Sequence, residues 1–276
     1  MAKVAVAQML SGEDLEENLQ QAGFLAEEAV EQSADLLLLP ENFAMLDSKA
    51  LITLAKTEQE SGKIQEFIAN LAKQHGLWVI AGSVPLLCAE ADSGEEKVYA
   101  SCLVYDDQGQ LQARYDKIHL FDVDVADAHS SYRESDFIQH GKDLVVVSTP
   151  FGNIGLSICY DLRFPEQFQK LRNMGAEILT VPSAFTYVTG QAHWEVLLRS
   201  RAIENQCYVL AANQGGQHSK SRQSWGHSMI VDPWGEVIEE REQPGPGLVV
   251  ADVDLNLLHE KRKAMPVQQH RETAGF

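Results

Sequence analysis

Short, fully apolar runs alternate along this chain with longer stretches whose apolar residues recur at helical spacing. Val4-Ala5-Val6-Ala7 follows directly on Lys3, and Leu36 to Leu39 form a second unbroken run. Runs of this length bounded by turn residues read as buried strands, whereas apolar positions three and four apart over more than ten residues read as helices packed on a core. The pattern predicts strands near 3–9, 35–39, 77–84, 98–105 and 110–116, with helices near 14–33 and 61–75. A loop rich in Asp, Ser and His follows from about 119 to 143. Beyond it the pattern predicts strands near 152–159, 176–182, 207–213, 225–232 and 235–240, with helices near 164–174 and 190–205. A strand near 247–253 and a helix near 254–264 precede the tail.

The same order, strand-helix-strand-helix-strand-strand-strand, therefore occurs twice. Two local matches point to an internal duplication. The stretch from Ala34 to Phe43 (ADLLLLPENF) parallels that from Ala176 to Phe185 (AEILTVPSAF), and Asp106-Asp-Gln-Gly109 parallels Asp232-Pro-Trp-Gly235. Two like halves, near 1–118 and 150–245, each a mixed sheet with helices on one face, bury most surface by stacking sheet on sheet. The expectation is an α/β fold, a four-layer α-β-β-α sandwich with an internal pseudo-two-fold, as one domain over 1–276 whose tail from 254 packs on that domain or on a partner subunit.

Composition narrows the function. With 276 residues and 45% apolar content the chain can bury a large core. Lys and Arg number 22 against 40 Asp and Glu, so the net charge is 22 − 40 = −18. That balance argues against nucleic acid or an anionic membrane as partner, and any anionic substrate requires a local cationic pocket. No apolar run approaches the ~20 residues of a membrane span, and the N-terminus reads without a signal peptide. Cys88, Cys102, Cys159 and Cys207 form no CxxC pair, and the histidines show no HxxxH spacing. No metal and no cofactor is expected, and free thiols suit a reducing cytoplasm.

Three polar residues fall where apolar runs end. Glu41 closes Asp35-Leu-Leu-Leu-Leu-Pro-Glu41-Asn-Phe43, Lys117 lies in Tyr115-Asp-Lys117-Ile-His119, and Cys159 in Gly155-Leu-Ser-Ile-Cys159-Tyr-Asp-Leu-Arg163-Phe-Pro-Glu166. Each alone reads as a buried small hydrophobe, a turn or a surface cation. Together they supply a thiol nucleophile, a carboxylate able to move protons, and a fixed cation for a developing oxyanion, which is enough to hydrolyse an amide without metal.

These segments, in this order, resemble the Glu-Lys-Cys site of the nitrilase superfamily, the carbon–nitrogen hydrolases, and the resemblance spans almost the whole chain. It implies the same sandwich fold, catalytic roles for Glu41, Lys117 and Cys159, and a supporting role for Glu134 in Tyr132-Arg-Glu134-Ser-Asp136. If Cys159 occupies a tight strand-to-helix turn, the Tyr160 N–H is a second oxyanion donor. The stretches Val181 to Val209 and Trp225 to Gly235 are most similar to the branch acting on deaminated glutathione, and omega-amidases share much of them. Candidate substrate contacts are Arg163, Phe185, Tyr187, Thr189 and Arg222, with Arg133, Arg201 and Lys220 as further cations and the 215–222 loop as a lid. Arg163 is equally placed to pair with Glu166. Trp194 reads as packing. The resemblance also implies a homodimer or higher homo-oligomer and a small-molecule amide substrate. A Cys/His protease lacks a local signature, and Gly155-Leu-Ser157-Ile-Cys159 lacks the closing Gly of a nucleophile elbow. The rival from another class is a catalytically silent scaffold on the same fold.

Overall fold

The computed structural model describes residues 1–89, 95–125, 127 and 130–275. Its first half runs β1 (Ala2–Gln8), α1 (Leu15–Glu31), β2 (Leu36–Leu38), α2 (Leu51–Ser61), α3 (Lys63–His75), β3 (Trp78–Cys88), β4 (Lys97–Tyr105) and β5 (Leu111–Asp116). A connection carries the short ribbon β6 (Asp122–Asp124) and β7 (Ser131–Arg133). The second half runs β8 (Val146–Thr149), β9 (Gly152–Leu156), α4 (Pro165–Asn173), β10 (Ile178–Thr180), α5 (Tyr187–Asn205) and β11 (Tyr208–Ala211). It continues through the hairpin β12 (Gly215–Gln217) and β13 (Gln223–Trp225) to β14 (Met229–Val231) and β15 (Val237–Glu240). The chain closes with β16 (Gly247–Val253), α6 (Leu255–Ala264) and α7 (Val267–Ala274).

Two six-stranded sheets result, in the orders β16-β1-β2-β3-β4-β5 and β15-β14-β11-β10-β9-β8. Their connectivity repeats. β1, β2 and β3 are parallel and lead to antiparallel β4 and β5, and β9, β10 and β11 are parallel and lead to antiparallel β14 and β15. Individual bonds repeat as well. Asp106 Oδ1 accepts the N–H groups of Gln108 and Gln110 at 2.9 Å, and Asp232 Oδ1 accepts those of Trp234 and Glu236 at 2.8 Å. Leu39 N–H donates to Ile80 at 2.9 Å, as Val181 N–H does to Leu210.

Strand alternation sorts the apolar residues into layers. Val4, Val6, Leu36, Leu38, Ile80 and Val104 of the first sheet share a core with Ile154, Leu156 and Ile178 of the second. Their neighbours Ala5, Ala7, Leu37, Leu39, Val79 and Ala81 pack instead on Leu19, Leu25 and Ala26 of α1 and on Ile64, Ile68 and Leu71 of α3. Asp14 starts α1 by accepting the N–H groups of Glu16 and Glu17. In the second half Leu171 of α4 and Trp194 and Leu198 of α5 are fully buried on the outer side. The four layers are helix, sheet, sheet, helix.

Three departures from the sequence pattern have physical causes. Helix α2 has no side-chain cap at Ala50 and runs into α3 through left-handed Gly62, so nothing in the sequence marks its start. The expected 119–143 loop contains the β6–β7 ribbon, whose three-residue strands each carry a single apolar side chain between exposed polar ones, too short a run to signal a strand; positions 126, 128 and 129 of that loop lie outside the described residues. The expected strand 225–232 is broken by Gly226 and His227, both with positive φ (77° and 55°), into the end of β13 and the separate β14. The tail adds α7 beyond the expected helix. Arg262 and Met265 tie the tail to the fold through Arg262 donors to the Gln206 and Ala176 carbonyls and a Gln206 donor to the Met265 carbonyl.

Candidate active site

Glu41, Lys117, Cys159 and Ala184 each lie one to four residues beyond the C-terminal end of a strand, β2, β5, β9 and β10 respectively. The pairings send the ends of β2 and β5 to one side of the first sheet and those of β9 and β10 to one side of the second, and the contact of Glu41 with Ala184 shows that the two sides meet. Two glycines allow the backbones to close around these ends. A Cβ on Gly82 would stand 2.1 Å from the Pro40 carbonyl oxygen, and one on Gly141 would stand 2.1 Å from that of Asp116. Gly141 N–H donates to the Lys117 carbonyl at 2.7 Å.

Lys117 is 1% exposed. Its Nζ donates to Glu41 Oε1 at 2.7 Å and to both carboxylate oxygens of Glu134, at 2.7 and 2.8 Å. Each carboxylate has a second anchor: Ala184 N–H donates to Glu41 Oε2 at 2.9 Å, and Phe121 N–H donates to Glu134 Oε2 at 2.7 Å. Gln214 Nε2 holds the Glu41 carbonyl at 3.1 Å. Glu41 thus comes from the first half and is oriented by two residues of the second.

Cys159 adopts φ +48°, left-handed for a residue with a Cβ, and the turn Cys159–Arg163 follows it directly. Its N–H donates to the Pro182 carbonyl at 2.9 Å. Burial pushes the thiol well above its ordinary range and the Glu41 charge adds to this, while Lys117 and the Ala184 N–H pull the other way. Burial penalises the Lys117 cation, yet the Glu134 and Glu41 charges overcome it and hold the ammonium well above its usual range. Burial also raises Glu134, against the pull of Lys117.

One cavity opens on Glu41, Lys117, Glu134, Cys159 and Tyr160, and Phe185, Thr189 and Arg222 of the expected contacts line it too. Arg163 and Tyr187 do not line it. Arg163 lies over the Tyr160 and Phe185 rings at 5.8 and 5.3 Å and donates to His193 Nδ1 at 3.2 Å, not to Glu166. Tyr187 packs edge-on to Trp225 at 5.1 Å. Arg201 is buried on the Leu162 carbonyl and Glu204, and Trp194 is fully buried with its Nε1 on the His227 carbonyl. Arg133 lines the cavity but donates to the carbonyls of Val123 and Tyr132 and to Asp124. Among the described residues Arg222 makes no side-chain hydrogen bond or ion pair. Its hairpin is fixed where the turn begins, at His218, whose Nδ1 meets the Ser11 carbonyl at 2.8 Å and whose Nε2 meets Ser224 Oγ at 3.0 Å. The pattern missed Asn42, Met45 and Leu51, which the uncapped 40–61 segment carries to the wall, and Phe121, Tyr132 and Phe137 of the polar connection.

A carbon–nitrogen hydrolase family model matches residues 3–263. The chain belongs to the carbon–nitrogen hydrolase family. It is 44% identical over 98% of its length to the deaminated glutathione amidase of Yersinia enterocolitica, covering 92% of that protein. It is also 44% identical to the human deaminated glutathione amidase over 97% of its length, covering 81% of that protein. Among solved structures, the NitFhit protein of C. elegans superposes with TM-score 0.89 at 40% identity, over all of this chain and 67% of that one. Saccharomyces cerevisiae Nit3, a member of branch 10 of the nitrilase superfamily, superposes with TM-score 0.84 at 31% identity, over 96% of this chain and 94% of that one.

Proposed function

We propose that this amidase cleaves the amide of deaminated glutathione through a thioester on Cys159, with Glu41 as proton carrier and Lys117 as oxyanion partner. The observation that carries the reading is the buried Glu41–Lys117–Glu134 cluster opening on the same cavity as a cysteine held at φ +48°. The raised thiol pKa means that the resting side chain keeps its proton until Glu41 takes it. Cys159 Sγ attacks the amide carbon as Glu41 accepts the thiol proton. The oxyanion faces Lys117 Nζ and the Tyr160 N–H at the start of the turn. The C–N bond then breaks as Glu41 protonates the leaving amine. Water attacks the thioester and gives a proton to Glu41, and the departing thiolate takes it back as the acid is released. Glu134 holds Lys117 in place throughout.

The relatives' activity supplies the substrate. A substrate with a carboxylate at each end must enter a protein of charge −18, and among the described residues Arg222 is a cavity-wall cation with no side-chain partner to hold it from one of them. Hydrolysis yields 2-oxoglutarate and cysteinylglycine. Omega-amidase action on 2-oxoglutaramate, which shares the head group, is the second reading. Specificity constants for deaminated glutathione, 2-oxoglutaramate and a simple nitrile test the choice, with 2-oxoglutarate release as the readout for the two amides. A clear preference for 2-oxoglutaramate moves the assignment to omega-amidase, and a preference for the nitrile overturns both. An iodoacetamide-inert Cys159 supports the silent-scaffold alternative.

The same proposal includes a cytoplasmic homodimer. Free thiols at all four cysteines suit a reducing compartment. Val196 and Ile203, seven residues apart on α5, are 65% and 51% exposed beside Trp234 at 50%, an apolar face suited to a second copy. Light scattering at micromolar concentration checks the assembly.

A further inference from the structure

The two segments that carry Lys117 and Cys159 meet at a single fully buried carboxylate, Asp161. One oxygen, Oδ1, accepts the His119 backbone N–H at 3.0 Å and lies 2.7 Å from His119 Nδ1. The other, Oδ2, accepts the Tyr115 hydroxyl at 2.6 Å and the Ile158 N–H at 2.8 Å. Tyr115 and His119 each stand two residues from Lys117. Ile158 and Asp161 bracket Cys159. The Tyr115 oxygen is itself held by the Ile118 N–H at 3.2 Å and Gln167 Nε2 at 3.0 Å. Burial, then the Asp161 charge and hydrogen bond, push the Tyr115 phenol well above its ordinary range, so it remains a donor. On the far side His119 stacks on Phe164 at 3.6 Å, and Phe164 meets the ring of cavity-lining Tyr160 at 5.4 Å.

The geometry points to Asp161 as a positioning residue, whose carboxylate ties the Lys117 segment of one sheet to the Cys159 turn of the other and so sets the thiol against the ammonium. Neither side chain contacts Asp161, so the effect passes through backbone placement. The Lys117–Glu41–Glu134 contacts fix the ammonium end of Lys117, and Asp161 fixes the other partner relative to it. An amide in place of this carboxylate fills the same volume but turns an N–H donor toward one of the two donor pairs. One of the two segments is then released.

The proposal rests on the reading of Cys159 as nucleophile. The test is Asp161→Asn in the full chain, with turnover of deaminated glutathione, the pH profile of Cys159 alkylation by iodoacetamide and the melting temperature measured together. Asp232→Asn is the control, because it weakens a buried carboxylate turn in the β14–β15 hairpin that does not line the cavity. In Asp161→Asn kcat is expected to fall by roughly 10–100-fold with KM within about threefold, and the alkylation profile to move. Asp232→Asn is expected to lower the melting temperature without either change. Folded Asp161→Asn with kcat within about twofold of wild type and an unmoved alkylation profile overturns the tie. If Asp161→Asn is recovered only unfolded, the same readouts are taken on Tyr115→Phe and His119→Ala, each of which removes one side-chain donor. A reduced kcat in each carries the proposal, and unchanged kcat in both overturns it. Wild-type protein that still turns over substrate after complete Cys159 alkylation overturns the nucleophile reading and the tie with it.

Discussion

Lys117 meets both carboxylate oxygens of Glu134, at 2.7 and 2.8 Å, while a third bond of 2.7 Å holds it to Glu41. A fully buried ammonium between two carboxylates is compensated in charge and fixed in direction. Removing it leaves the buried Glu41 facing the half-buried Glu134 with no cation between them. Lys117→Ala is therefore expected to lose turnover and to unfold at lower temperature, with a stability loss of about 3–5 kcal/mol. Calorimetry together with 2-oxoglutarate release checks both effects. A folded mutant near wild-type activity refutes the assigned role.

Glu41→Gln keeps the volume but cannot carry a proton, and its amide can accept from Ala184 N–H only by turning its NH2 toward the Lys117 ammonium. Its kcat is expected to fall by roughly 10²–10⁴-fold, with the fold intact and the melting temperature somewhat lowered. Single-turnover kinetics separate acylation from hydrolysis of the thioester, and both steps are expected to slow.

Peptide mapping after stoichiometric iodoacetamide is expected to place the label on Cys159, which opens on the cavity. Burial raises all three of the Cys102, Cys159 and Cys207 thiols, so access decides: Cys102 and Cys207 are fully buried and neither lines the cavity. Cys159→Ala is expected to fold and to be inactive. Inactivation with label elsewhere and none on Cys159 refutes the assignment.

Arg222→Ala is expected to raise KM for deaminated glutathione by roughly 10–100-fold, the worth of a charge-assisted hydrogen bond, with a smaller change in kcat. A neutral amide of similar size is expected to lose little. Steady-state kinetics on both amides check the contrast, and equal losses on both count against a carboxylate contact.

Burial lowers His218 from 6.5 to about 4, so it stays neutral in the fold where its two ring nitrogens meet Ser11 and Ser224. Between those two values the unfolded chain binds the proton and the folded chain does not. Its contribution to stability is therefore present above pH 6.5 and declines as pH falls toward about 4. Melting temperatures measured across this window are expected to fall less steeply in His218→Gln than in wild type.

The strand ends that carry Glu41 and Cys159 were legible because each is an apolar run closed by Pro or Cys, a pattern that needs no knowledge of partners, whereas Lys117 follows the largely polar β5 and was legible only by its likeness to the family's motif. All three line one cavity. The duplication was legible at the hairpins, where Asp106 and Asp232 each require a side chain that accepts two N–H groups. Arg163 was not placeable, because its direction depends on how far the turn after Cys159 rotates, and that turn sends it over Phe185 toward His193. The α2 wall of the cavity was hidden by the missing cap at Ala50, and Tyr132 by a ribbon only three residues long on each strand and polar in composition. Asp161 stands two residues past Cys159, yet its four bonds reach residues 115, 119 and 158, and only the fold brings 115 and 119 to it.

The Glu41 carboxylate receives its second anchor from Ala184, 143 positions later in the chain. A nascent chain that has emerged only through β5 carries Glu41 but not Cys159. A chain extended past Cys159 still lacks the 182–184 strand end that holds both the cysteine backbone and the acid. On the proposed reading a nascent chain is thus quiet toward the amides around it until the segment after β10 arrives, and that arrival, not the synthesis of Cys159, is the event that arms the proposed nucleophile.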